Sequence, residues 1–110
     1  MATRQLRARE KVETVEVLPL TATTGRSDVI DCLGYEDVTV HLYPAAGATF
    51  TATVEAGNIP TPGQMPAVAN GSNLSAAAVV PIPRGVRYVC VNVTAATGAG
   101  VGATLNARQP

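Results

Sequence analysis

The sequence predicts an all-β fold: a single-domain β-sandwich, jelly-roll-like, of seven to eight strands with an extended N-terminal arm. Three observations lead there. Apolar residues recur at every second position in several short segments, which puts one row of side chains on a buried face. Clusters of Gly, Pro, Asn and Thr punctuate the chain between those segments. No convincing helix appears anywhere along it. A chain of 110 residues makes one domain, long enough to bury a modest core.

The elements follow in order. Residues 1–11 hold Arg4, Arg7, Arg9 and Lys11 against one acid, Glu10, and offer no apolar face. They read as a basic arm, flexible or ordered by a partner, ahead of a β-sandwich domain over 12–110. Residues 12–18 alternate roughly, with Val15 and Val17 on one side, and Pro19 ends that strand. A loop rich in Thr and Gly leads to a short strand over 28–33, then to Gly34 and Tyr35. Residues 37–43 alternate clearly: Val38, Val40 and Leu42 face in, Thr39 and His41 face out. After the Pro44–Gly47 turn, Phe50, Ala52 and Val54 face in, while Thr49, Thr51, Thr53 and Glu55 face out. Threonine suits such a half-exposed pleated surface.

Residues 57–75 form the longest irregular segment, with Pro60, Pro62, Pro66 and turn-formers around Asn70. Segments of this kind inside a compact domain are uncommon and often functional. A short buried strand over 76–81 follows, bracketed at its end by Pro81 and Pro83 as at an edge or a crossing. Val89, Val91 and Val93 then alternate with Tyr88, Cys90 and Asn92. Gly98, Gly100 and Gly102 supply a chain reversal, and Ala103, Leu105 and Ala107 resume the alternation. The expectation is a hairpin with one buried face. The outward row of Tyr88, Cys90 and Asn92 is expected to be wet in a free chain and partly covered in an assembly.

Charge narrows the partners. The net charge is zero, which argues for neither nucleic acid nor membrane. Its distribution is uneven: residues 1–55 carry five basic and eight acidic groups, whereas 56–110 carry Arg84, Arg87 and Arg108 and no acid. The two halves can attract within one fold or between copies. Two cysteines, Cys32 and Cys90, are too few for a disulfide scaffold and have no zinc spacing, so free thiols are expected. No signal peptide and no apolar run of membrane-spanning length is visible, which points to a cytoplasmic origin.

The residues supply no catalytic centre, and no cofactor or metal is expected. His41 is the sole histidine and sits on the outer face of a strand. Asp28, Asp31, Glu36 and Asp37 gather around Gly34 without the oxygen pattern of a calcium loop. Gly98, Gly100 and Gly102 lack the spacing and the following helix of a dinucleotide site. Ser72 and Ser75 have no His–acid partners. Asn70, Asn73 and Asn92 open glycosylation sequons, which mean little without a secretory signal; Asn70-Gly71 reads as a turn. Tyr35, Tyr43 and Tyr88, with one Phe and no Trp, offer few stacking platforms for sugars or single-stranded nucleic acid.

Three segments together carry a resemblance. Leu33-Gly34-Tyr35-Glu36-Asp37-Val38-Thr39-Val40 precedes a Thr-rich strand, Ala48 to Ala56. The third is Arg84 to Thr94 with Gly98 to Leu105. In this order the chain resembles small β-sandwich virion proteins of tailed bacteriophages, over about half its length. After Glu55 it departs from them: Ala56-Gly57-Asn58-Ile59 stands where many members have an Asp-Gly turn and a Trp. The resemblance implies a non-enzymatic virion part made in the host cytoplasm. The leading expectation is a capsid decoration (cement) protein that binds the major capsid protein and copies of itself, with no specific nucleic acid and no membrane. Alternatives are a tail, baseplate or fibre component of the same fold, or a glycan-binding module using Tyr35 or Tyr43. The expected partner contacts are Arg4, Arg7, Arg9 and Lys11 of the arm, Pro60 and Pro62 of the long loop, and Tyr88.

Overall fold

A computed structural model describes residues 3–5, 12–22, 24–98 and 100–109. The described chain is all-β, two sheets packed face to face. The strands are β1 (Thr3–Gln5), β2 (Val12–Ala22), β3 (Gly25–Arg26), β4 (Val29–Asp31), β5 (Asp37–Pro44), β6 (Thr49–Gly57), β7 (Ala78–Ile82), β8 (Tyr88–Thr97) and β9 (Val101–Arg108). All seven strands expected from the sequence are present, but β2 does not end at Pro19. It continues to Ala22, with its register to β9 shifted on either side of Leu18. The proline falls in this irregular stretch of the ladder, where its missing N–H is tolerated. The short β1 and β3 are additions. Thr3–Gln5 of the expected arm pairs in parallel with β4, while Arg7, Arg9 and Lys11 lie outside the described residues.

In the first sheet, β8 is central. It pairs with β6 on one side and with β3 and β4 on the other, and β1 lies beyond β4. The second sheet runs β2-β9-β5-β7. The inward rows meet between the sheets: Phe50, Ala52 and Val54 with Val89, Val91 and Val93 from one, Val38, Val40 and Leu42 with Ala103, Leu105 and Ala107 from the other. Burying a Leu or Val row in this way supplies about 1.5–3 kcal/mol for each side chain taken out of water.

The closing segment corrects the expected hairpin. β8 and β9 do not pair with each other; they belong to different sheets. The glycine turn is an arch that carries the chain across the sandwich. It rests on the Pro44–Thr49 turn: Ala45 N–H donates to Gly100 O at 3.0 Å, and the Thr49 and Thr97 hydroxyls bond. The alternation was a sound guide to the buried face, but a face does not name its neighbour.

The edges of the sheets are managed individually. Ala45 bonding Gly100 sets the alternation along β5, so Thr39, His41 and Tyr43 point their backbone groups at β9 and Val38, Val40 and Leu42 at β7. Val80 and Ile82 of β7 then face β5, and Pro81 turns its donor-less nitrogen to the open edge, where it blocks further pairing. The β6 edge is covered by residues 66–74 of the long segment. Ala56 N–H donates to Pro66 O, Val68 N–H to Val54 O, and Val54 N–H to Gly71 O; Ala52 and Leu74 exchange both bonds. Val68 enters the main core. Half of the long loop is thus a seal on a strand edge.

Candidate functional site

One end of the sandwich gathers the features that could meet a partner. Gly57, Tyr88 and Asp31 are in register in the first sheet, and Val12, Arg108 and Asp37 in the second. The links 32–36 and 83–87 join these two rows, so both rows lie at the same end. Exposed apolar side chains concentrate here: Val12 is 55% exposed, Leu33 50% and Ile59 54%. Between the two links lies a cleft of about 140 Å³, lined by Cys32, Leu33, Gly34, Tyr35, Gly85, Val86 and Arg87. Pro60 and Pro62 are exposed on the loop that leaves Gly57, and Tyr88 is half-buried. The structure therefore brings three of the expected contacts to one end. Of the arm, β1 leaves the sheet at Gln5 beside Asp31, and β2 begins at Val12.

Ion pairs hold the loops of this end. Arg87 grips Asp31 with two bonds of 2.9 Å, Nε to Oδ1 and the second nitrogen to Oδ2. Asp31 Oδ1 also accepts from the Leu33 N–H at 3.1 Å. The Arg87 hydrogen bond, helped by that backbone donor, holds the Asp31 carboxyl below its ordinary pKa, although burial opposes it. The Arg87 guanidinium lies 5.0 Å from the Tyr88 ring centre, and its backbone N–H donates to Asn58 Oδ1 at 3.0 Å. Arg84 reaches Glu36 at 3.6 Å and Asp37 at 3.1 Å. Two arginines of the basic half thus pair with acids of the acidic half inside one fold. The acidic cluster around Gly34 is an ion-pair framework.

The outer face of the first sheet is covered by the chain itself. Cys90 is fully buried there, under Met65 and beside Val29. Met65 fits because Gly57 has no side chain: a Cβ on Gly57 would meet Met65 Cγ at 3.1 Å. The outward row expected to be wet is therefore closed at its centre, while Tyr88 and Asn92 remain half-buried. Cys90 Sγ donates to Glu55 Oε1 at 3.3 Å, and Arg26 clamps the same carboxylate at 3.0 and 3.4 Å. Burial, then the carboxylate, pushes the Cys90 thiol up to about 12; burial does the same for Cys32. Both thiols are free and in their protonated, unreactive form at neutral pH.

The remaining candidates are structural. His41 is exposed beside Tyr43, their rings 5.3 Å apart. Tyr43 lies against Gly102 and bonds Thr104 at 3.2 Å through its hydroxyl. Tyr35 is buried, and its hydroxyl donates to Glu13 at 3.1 Å. Neither tyrosine stands free at an end of the sandwich as a sugar platform would require. Among the described residues, no three His, Cys, Asp or Glu side chains gather to hold a metal ion. Sequence reasoning missed Leu33, Ile59 and Val86: Leu33 belongs to the expected strand over 28–33, which ends at Asp31, and an apolar residue in a loop looks the same whether it ends up wet or tucked in.

No protein-family model matches the chain, and no curated protein sequence matches it. Its fold is shared with a solved structure, the SPBc2 prophage-derived protein YomS. The two superpose with a TM-score of 0.69 at 11% identity, over 87% of this chain and 91% of the other. At that identity the likeness establishes the fold.

Proposed function

We propose that the protein is a structural, non-enzymatic component of a tailed-phage virion, most specifically a capsid decoration protein. The observation that carries this reading is the shared fold: nearly the whole chain matches nearly the whole of a prophage-derived protein. The three-segment resemblance to phage virion proteins supports it independently. The mechanism is mechanical. A rigid sandwich sits on the assembled shell and touches the major capsid protein through the end that carries Leu33, Ile59 and Val12. The basic residues Arg4, Arg7, Arg9 and Lys11 add attraction to the shell, and Pro60, Pro62 and Tyr88 lie within the contact. Neighbouring copies meet around the same seams. A protein that binds the assembled shell but not its dissociated subunits stabilises the shell by mass action.

Binding to purified heads and tails of the source phage tests this. Saturable binding to heads, at hundreds of copies per particle, is the expected result. Recovery on tails alone, at a few dozen copies or fewer, would favour a tail, baseplate or fibre component. Deleting residues 1–11 should abolish head binding while circular dichroism still reports a folded β-domain. Unchanged occupancy would remove the arm from the mechanism.

A further inference from the structure

The turn at Asn70 and Gly71 combines two structural demands into one chemically labile pair. Asn70 is exposed with φ 62°, a left-handed conformation that Asn tolerates better than other side-chain-bearing residues. Gly71 is buried, and a Cβ there would meet Val54, Val80 and the Val68 carbonyl oxygen, all at 3.2 Å. Asn is favoured at the first position and glycine at the second, where any Cβ would press its neighbours aside. An Asn–Gly sequence is open to attack on the Asn side chain by the next backbone nitrogen, because glycine puts no side chain in the way.

We propose that Asn70 is a site of spontaneous deamidation, gated by the docking of residues 66–74 on β6. The deprotonated Gly71 nitrogen attacks Asn70 Cγ. The N–Cγ bond forms, the Cγ–Nδ2 bond breaks, and ammonia leaves with the proton. Water then opens the five-membered succinimide at either carbonyl, leaving aspartate or isoaspartate. Water is the only co-reactant. The folded protein restrains the first step, because the Gly71 N–H donates to Val68 O at 2.8 Å and its residue is buried. That bond lies within the segment, and the turn it closes is held in shape by the bonds to β6. Once the segment lifts, the turn can open and free the nitrogen, so the rate rises with the undocked fraction.

The product acts on the seal. Isoaspartate routes the main chain through an extra carbon immediately before Gly71, whose carbonyl accepts the Val54 N–H at 2.8 Å. Either product adds a negative charge at the turn. The modified chain holds the β6 edge less firmly, which exposes strand edge to pairing. The seal is therefore a slow clock on the age of the protein.

Peptide mapping by mass spectrometry, with isoaspartyl methyltransferase labelling, tests the proposal. The protein is aged in mildly alkaline buffer when folded, when unfolded in urea, and as Leu74→Ala, which weakens the seal. Asn70 should convert about tenfold or more slowly in the folded protein than in urea, with Leu74→Ala between them. Equal folded and unfolded rates would overturn the gating, and an absence of conversion at Asn70 even in urea would overturn the site. Asn70→Gly, which keeps the left-handed turn, should remain unmodified with unchanged hydrogen exchange over the same period. Aged wild-type protein should show faster exchange at the Val54 amide. Unchanged exchange there, once conversion is complete, would overturn the effect on the seal.

Discussion

At the scale of single residues, two side chains show how a local choice is completed by a distant one. Gly102 is the second residue of β9, already within the ladder, where a glycine weakens a strand. Tyr43, opposite it on β5, covers the gap: a Cβ on Gly102 would lie 2.6–3.0 Å from the Tyr43 ring and hydroxyl. Gly102→Val should displace that ring from Thr104 and cost about 1–3 kcal/mol, measured by urea denaturation. A neutral substitution would mean that the ring swings aside freely. Asp31 is the second case. Its carboxylate is held below the ordinary 3.8 by Arg87, so the stabilisation is complete above that value and is lost as pH falls through the lower folded value. Asp31→Asn should cost about 1–3 kcal/mol at neutral pH, towards the low end because Arg87 stays partly in water. The gap between variant and wild type should close on acidification below about pH 4, read from melting curves across pH. A gap that persisted in acid would assign the loss to packing.

At the scale of elements, the long irregular segment divides into two parts with different work. Residues 58–64 are exposed and lie at the apolar end. Residues 66–74 hydrogen-bond along β6 and add Val68 to the core. Gly71→Val should force the seal off, because Val54 and Val80 leave no room for a branched side chain. The expected readouts are faster hydrogen exchange at Ala52, Val54 and Ala56, and concentration-dependent self-association in size-exclusion chromatography. Unchanged exchange would show that the edge is protected by something other than this segment. The proline content and length of this stretch marked it as special. Its backbone bonding to β6 was not legible, because irregular backbone has no period to read.

At the scale of the whole molecule, the fold is built from non-local pairings. Among the described strands no two consecutive ones pair; the chain passes from one sheet to the other at each link except that from β3 to β4, which both lie against β8 in the first sheet. Each pairing must therefore close a loop before it is rewarded, which slows folding. Refolding from urea should take milliseconds to seconds in stopped-flow experiments; microsecond refolding would contradict this topology. The charge asymmetry also resolves at this scale. Arg84 and Arg87 of the basic half bind Glu36, Asp37 and Asp31 of the acidic half, and so tie the 32–36 and 83–87 links together. Those ties position the apolar end that the proposed function uses. The chain-level imbalance is mostly an internal matter, which leaves the basic arm and the exposed apolar residues to attract a partner under the proposed function.

The sequence by itself determined the approximate place of seven of the nine described strands and the buried face of the clearly alternating ones. Alternation with period two is a local property, and Val38-Val40-Leu42, Phe50-Ala52-Val54 and Val89-Val91-Val93 all proved to be inward rows. Only the tertiary structure decided which strand lies beside which. The arch that replaced the expected β8–β9 hairpin, the seal over β6 and the Met65 cover on Cys90 all join residues far apart in the chain. The reason is physical. A pleated strand with one apolar face can be satisfied by a neighbour in its own sheet or by a layer facing it. That choice is made by sheet twist, by turn geometry and by the fit of distant side chains, and no single segment carries it.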